Sequence, residues 1–265
     1  MPITGSPIYL STMLLEKNRS NGKGPSLLVS DWMEPISEAG FTGLEIWMNH
    51  LMFSSRSEWE LIRERGLEAD LTSALITCAL PIDASDKSQR LRDTILEACD
   101  YFHPEGLKIL TSGKDEALDF LKTWSRDVPR EIGLFYDCRV GETGVADLER
   151  ARNALGGGRF RAVLHPFLLS PKEFEDALRA SGDFIGNLGV QAKKDGKWVL
   201  LSENKDESLK IIAASRRGGY KGTWSLEYTK GAGQAGEDID DMFDHSEADL
   251  NFLTEILARA AAEKV

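Results

Sequence analysis

The residues of this 265-residue chain that could do chemistry stand at or near the ends of short apolar runs. Three carboxylates occupy such positions, Glu45, Asp137 and Glu227, and His165 and Gln191 close two further runs. Carboxylate, imidazole and amide oxygens bind divalent cations, and carboxylates and imidazoles also transfer protons. Because they would converge only if these run ends meet, the pattern predicts one small-molecule site built from several strand ends.

Further polar side chains lie close to the same ends. Lys108 lies within its run, Lys193 follows Gln191 by two positions, and His50 follows the run that contains Glu45. We predict that Glu45, His50, Lys108 and Lys193 bind substrate hydroxyls or a phosphate. Structural alternatives remain open, since Glu45 could form a salt bridge with Lys108 and Lys193 could belong to a solvated hairpin.

Short β-type runs alternate with longer helical patterns along the whole chain. Eight strand–helix units of about 33 residues use up the entire length, and strands separated by helices are parallel. No strand is followed by a Gly-x-Gly-x-x-Gly turn, so we favour a closed (β/α)8 TIM barrel, a single domain over 1–265, above a doubly wound open sheet. The strands are predicted at 8–14, 43–47, 69–78, 107–110, 132–136, 160–164, 184–191 and 222–227. In such a barrel the active site lies at the C-terminal strand ends.

Helix boundaries are predicted from capping residues. Asp31 is expected to cap a helix that runs to Ala39 and ends at Gly40, and Ser170 is expected to cap a helix that starts at Pro171. The acidic, glycine-rich segment 231–244 is predicted to form a loop over the last strand, followed by a helix over 247–262.

Composition excludes several classes of function. The chain has 32 Lys and Arg against 43 Asp and Glu, a net charge of −11 without a basic stripe, which argues against a nucleic-acid partner. No segment offers 18 uncharged apolar residues, so no membrane span is expected. Three cysteines, Cys78, Cys99 and Cys138, do not make a disulfide framework, and we expect a cytoplasmic protein.

Two segments resemble a known family. Residues 39–47, AGFTGLEIW, resemble the second strand of xylose isomerase-like barrels, the sugar phosphate isomerase/epimerase superfamily. Residues 219–227, GYKGTWSLE, resemble the last strand of that family with its terminal glutamate. The strand–helix period extends the resemblance over nearly the whole chain, and these two glycine-then-glutamate strands are its specific part.

The resemblance implies a set of metal ligands on the last four strands. The family has Glu, Asp, His and Glu there, whereas this chain has Asp137, His165, Gln191 and Glu227. Only Glu227 keeps its identity, and the formal charge of the set falls from −3 to −2. Each substitute can still bind a cation, so the implied cofactor is a divalent metal ion, Mn, Mg, Co or Zn.

The resemblance also implies an activity, that of an isomerase or epimerase acting on a small polyhydroxylated ketone or sugar, phosphorylated or not. Metal-assisted proton transfer α to the carbonyl would use Glu227 as the base with Asp137 opposite. The alternatives are a lyase or dehydratase of the same superfamily, and a non-catalytic barrel that binds a sugar or a partner. The expected partner is a carbohydrate-like small molecule, and the oligomeric state stays open, a homo-oligomer included.

Overall fold

Eight parallel strands form a closed barrel in a computed structural model that describes residues 6–19, 24–81, 83, 85–111, 114–137, 145–156, 158–234 and 236–262. The order around the barrel is sequential, and the last barrel strand pairs with the first. The predicted (β/α)8 TIM barrel is therefore confirmed. The barrel strands are β1 (Ile8–Ser11), β2 (Gly43–Trp47), β3 (Thr72–Ala79), β4 (Gly106–Leu110), β5 (Gly133–Asp137), β6 (Phe160–Leu164), β7 (Ile185–Val190) and β10 (Thr223–Leu226).

Helices connect successive barrel strands and cover the outside of the barrel. The α-helices are α1 (Thr12–Leu15), α2 (Met33–Ala39), α3 (Met48–Met52), α4 (Arg56–Glu68), α5 (Asp86–Phe102), α6 (Asp115–Trp124), α7 (Val145–Leu155), α8 (Pro171–Ser181), α9 (Lys205–Arg217) and α10 (Ile239–Ala262). Short 3-10 helices cover Val29–Trp32, Pro166–Leu168 and Leu201–Asn204. No helix within these described ranges is both long and apolar enough to cross a membrane.

The cap of α8 shows how local sequence sets an element. Ser170 Oγ accepts a hydrogen bond from the backbone N–H of Glu173, and the Glu173 carboxylate accepts one from the backbone N–H of Ser170. This capping box satisfies two amide groups that the helix itself leaves unpaired. Phe174 and Leu178, one helical turn apart, then bury their side chains against the core. The prediction of Ser170 as the cap is confirmed.

A two-stranded hairpin interrupts the pattern after β7. It consists of β8 (Ala192–Lys194) and β9 (Lys197–Val199), which pair antiparallel. Asp195 and Gly196 join them with φ of 51° and 78°. An Asp-Gly pair with two positive φ values is typical of the tight turn that matches strand twist. The hairpin places Lys193 opposite Trp198.

Several sequence-based boundaries were wrong, among them the start of the third strand, which lies at Thr72 rather than Ala69. The first strand ends at Ser11 rather than Leu14, since the chain turns into α1 there. Asp31 lies inside the 3-10 helix rather than capping α2, although Gly40 ends α2 with φ of 98° as predicted.

A further correction concerns the acidic segment 231–244. Helix α10 begins at Ile239, so part of the predicted loop is helical. Met242, Ser246 and Leu250 are all buried, and their spacing continues one helical stripe backward from the predicted helix. Two aspartates in the first turn, Asp240 and Asp241, also favour a helix N-terminus through its dipole.

Candidate active site

A cavity of about 210 Å³ opens at the C-terminal ends of the barrel strands. Its wall contains all the predicted site residues except one. Residues lining it are Met13, Glu45, Thr77, Lys108, Leu110, Asp137, His165, Leu168, Gln191, Lys193, Trp198, Glu227 and Tyr228.

The strands place these side chains by their register. Asp137 is the last residue of β5, and His165, Gln191 and Glu227 directly follow β6, β7 and β10. All four are at least nine-tenths buried. Strand ends on one side of a parallel barrel point into one mouth, as expected from the sequence.

Lys108 lies between two carboxylates inside the barrel. It comes from the middle of β4, and its Nζ contacts Glu227 Oε1 and lies 3.3 Å from both carboxylate oxygens of Glu45. Glu45 Oε1 also accepts hydrogen bonds from Ser11 Oγ at 3.2 Å and Thr77 Oγ1 at 2.7 Å. Burial by itself lowers the pKa of Lys108, but Glu227 and Glu45 outweigh it and the pKa is raised. Lys108 is therefore a fixed positive charge.

His165 connects Asp137 to Glu227. Its Nε2 lies 3.1 and 3.2 Å from the two carboxylate oxygens of Asp137, and its Nδ1 lies 3.4 Å from Glu227 Oε2. Gln191 Nε2 is 3.1 Å from the same Nδ1. Burial lowers the pKa of His165, but the carboxylates of Asp137 and Glu227 outweigh this effect and raise the pKa above its ordinary value. The imidazole can therefore take up a proton at Nδ1 beside Glu227.

Glu227 is the carboxylate common to both arrangements. One oxygen contacts the Lys108 ammonium and the other faces His165. Burial raises the pKa of Glu227, against the opposing effect of Lys108 and His165. A carboxylate with a raised pKa and an imidazole beside it can accept a proton from a bound substrate and return it.

Asp137, His165 and Glu227 also form the one group of three potential metal ligands found among the described residues. One ligand atom from each lies within 4.8 Å of the others, a spacing that a metal ion could bridge. The existing contacts of these residues do not fit a resident divalent ion, however. The Lys108 ammonium already contacts Glu227, and both ring nitrogens of His165 face protein groups. The distances of the donor set suit a metal, whereas its existing partners do not.

His50 is the predicted site residue that the structure places elsewhere. It is buried in α3, outside the cavity wall, with its Nε2 3.7 Å from Glu16 Oε2. Burial lowers the pKa of His50 to about 4. The imidazole is therefore neutral at pH 7, and nothing in the cavity supports its predicted contact with substrate.

Sequence reasoning missed two contributors to the site. A Cβ at Gly189 would lie 2.5 Å from His165 Nδ1 and 2.7 Å from Glu227 Oε1, so only glycine lets these groups approach. Trp198 stacks on Tyr228 with ring centroids 4.7 Å apart and forms one wall of the cavity. The signal in the sequence was the Asp-Gly turn, which predicts a hairpin in which Lys193 and Trp198 lie opposite each other.

No protein-family model matches the sequence, and no curated protein matches it significantly. Solved structures do match in three dimensions. A D-psicose 3-epimerase crystallised in the presence of D-fructose has 13% identity and a TM-score of 0.68 over 95% of this chain and 99% of its own. The probable 3-DHS dehydratase AsbF from Bacillus anthracis has 14% identity and a TM-score of 0.66 over 94% and 98%.

A third match is a protein from Mycobacterium smegmatis, described as xylose isomerase-like and crystallised with magnesium. It has 13% identity and a TM-score of 0.65 over 96% of this chain and 98% of its own. At such low identity these matches establish the fold, and they cover both chains almost completely. The chain has the fold of the xylose isomerase-like TIM barrels.

Proposed function

We propose that the chain is an enzyme of the sugar isomerase or epimerase type, acting on a small polyhydroxylated ketone or sugar by proton transfer α to its carbonyl. One observation carries the proposal, the buried series of Lys108, Glu227, His165 and Asp137 in the wall of a small cavity. The similar epimerase and dehydratase structures support a carbohydrate-like substrate.

The residues divide the reaction among them. Glu227 accepts the proton when the C–H bond next to the carbonyl breaks, and the electron pair moves onto the carbonyl oxygen. Lys108 stabilises the negative charge that develops on this oxygen, since a fixed cation in a water-poor site costs no reorganisation. His165 Nδ1, which lies beside Glu227, passes a proton between neighbouring oxygens of the substrate. Asp137 holds the imidazole in place through its contact with Nε2.

Asp137 and the outer wall of the cavity supply the remaining roles. For epimerisation a proton returns from the opposite face of the enediolate, a role we assign to Asp137. Lys193 and the stacked pair of Trp198 and Tyr228 form the outer wall, where they would bind substrate hydroxyls or a phosphate. The divalent ion predicted at Asp137, His165, Gln191 and Glu227 would polarise the same carbonyl, but no step here depends on it.

A dehydratase is the second candidate, favoured by the similarity to the probable 3-DHS dehydratase. Its first step is the same proton abstraction, after which the enediolate loses a β-hydroxyl instead of being reprotonated. The two functions share Glu227 as the base and differ only in the product.

Deuterium exchange tests both candidates at once. Small ketoses, keto acids and their phosphates are incubated with the protein in D2O, and NMR monitors solvent deuterium at the α carbon. We expect exchange for at least one compound, and its loss in E227Q. Glu60, exposed on α4, provides the matched control E60Q, which keeps the wild-type rate. A compound that turns over equally fast with E227Q would refute Glu227 as the base.

A further inference from the structure

The positive charge of this site belongs to the protein itself. Lys108 is 1% exposed, its ammonium contacts Glu227, and it lies 3.3 Å from both oxygens of Glu45, which is fully buried. Glu45 is in turn fixed by the hydroxyl groups of Ser11 and Thr77. Lys108 is thus a built-in cation with two buried counter-charges, and it lines the cavity in which substrate would bind.

The other side chains of the cluster already contact one another. His165 faces Asp137 with one nitrogen and Gln191 and Glu227 with the other. A divalent ion at Asp137, His165 and Glu227 would share the Glu227 carboxylate with an ammonium in a poorly solvated cavity. The ion and the ammonium, both positive and both bound to this carboxylate, would repel each other strongly where water is scarce. The ion and the Lys108 ammonium therefore compete for the Glu227 carboxylate.

We propose that Lys108 replaces the divalent ion, so that this chain polarises its substrate with an ammonium group and needs no metal. This inference rests on the proposed function for its chemical meaning. When the C–H bond breaks, Glu227 takes the proton, and the electron pair forms an enediolate whose oxygen accepts a hydrogen bond from Lys108 Nζ. No electrons leave the substrate, so the step needs no further reactant.

Metal binding tests the inference without requiring the substrate. Protein purified without chelator is analysed by elemental mass spectrometry and then titrated with MnCl2, with free Mn²⁺ followed by electron paramagnetic resonance. We expect no stoichiometric metal in the wild type and weak binding of Mn²⁺. The K108M variant, with Glu45 and Glu227 freed from the ammonium, should bind Mn²⁺ at least about tenfold more tightly once the repulsion is removed.

The control separates local from overall charge. K193M removes a positive charge from the same cavity, where Lys193 contacts the Trp198 ring and forms no ion pair with any described residue. We expect its affinity for Mn²⁺ to stay at the wild-type value. Equal gains in K108M and K193M would overturn the inference, and so would one divalent ion per chain in the wild type.

Two further outcomes remain decisive. If K108M does not fold, the wild-type titration decides alone, because saturable, tight binding of Mn²⁺ beside Lys108 contradicts the proposal and its absence supports it. If exchange is found, it should proceed at the same rate in EDTA. Exchange abolished by EDTA and restored by Mn²⁺ would overturn metal independence while leaving the proton-transfer function intact.

Discussion

Replacing Lys108 with methionine keeps the unbranched shape of the buried side chain, one atom shorter, and removes its charge. The carboxylates of Glu45 and Glu227, which are 0% and 4% exposed, would then lie together without their shared cation. Removing one partner of a buried ion pair costs about 3–5 kcal/mol, because a buried charge is left uncompensated. Glu45 keeps its two hydroxyl donors, so we place the loss inside this range rather than above it.

The loss translates into a measurable change in Tm. An unfolding entropy of about 2.1 cal/mol/K per residue gives about 0.56 kcal/mol/K for 265 residues, so Tm should fall by about 5–9 °C. Differential scanning calorimetry at about pH 8 measures this shift. The shift should shrink as the pH falls, because Glu227, whose pKa burial raises, can then take up a proton instead of remaining charged.

The matched control is the same substitution at an exposed ion pair. Lys172 lies 2.8 Å from Asp176 on α8, and its side chain is 86% exposed. K172M should leave Tm unchanged, because solvent screens such pairs. Equal shifts for K108M and K172M would show that the Lys108 network contributes no more than a surface pair, and would refute the reasoning. The triple variant K108M/E45Q/E227Q should recover part of the loss.

Three further predictions concern individual residues. G189A should lose deuterium exchange and about 1–3 kcal/mol of stability, because its Cβ would overlap the His165 imidazole, whereas G24A, with open space around its Cβ, should match the wild type in both assays. The raised pKa of His165 should fall in D137N, and an NMR titration of labelled histidine that shows no change would contradict the role of Asp137. Burial raises the pKa of Asp249 from 3.8 to about 6, so the folded chain binds this proton more tightly than the unfolded chain does. Its contribution to the free energy of unfolding is full below about pH 4 and declines by about 3 kcal/mol as the pH rises through about 6. The difference in the free energy of unfolding between wild type and D249N should follow this decline. A difference that does not change with pH would rule it out.

The barrel was predictable because its signal is repeated. Eight apolar runs separated by helical patterns leave little choice of topology once the strands must be parallel. Asp137, His165, Gln191 and Glu227 were predicted by position alone, since each ends or directly follows a strand, and all four lie in the cavity wall. The boundary of α10 was missed because the acidic residues near Ile239 suggested a loop, whereas the buried stripe that includes Met242 makes it a helix.

The location of His50 shows where reasoning from strand-end position fails. It follows β2 closely enough in sequence to reach the mouth, but α3 directs it into a buried site beside Glu16. Gly189 shows the opposite failure, because a glycine inside a strand gives no hint of which groups approach it. The environment of Gly189 depends on distances across the barrel and that of His50 on the turn into α3, and a single strand encodes neither.

The charge network was within reach of the sequence by a different rule. Glu45, Lys108, His165 and Glu227 come from the second, fourth, sixth and eighth barrel strands or directly follow them. In a (β/α)8 barrel, alternate strands fill the same interior layers, so inward-pointing residues of even strands face one another. The rule brings the lysine of the fourth strand together with a carboxylate from the second strand and one from the eighth. The alternative that Glu45 pairs with Lys108 was therefore the informative one, and Glu227 adds a second carboxylate to this pair in the cavity wall.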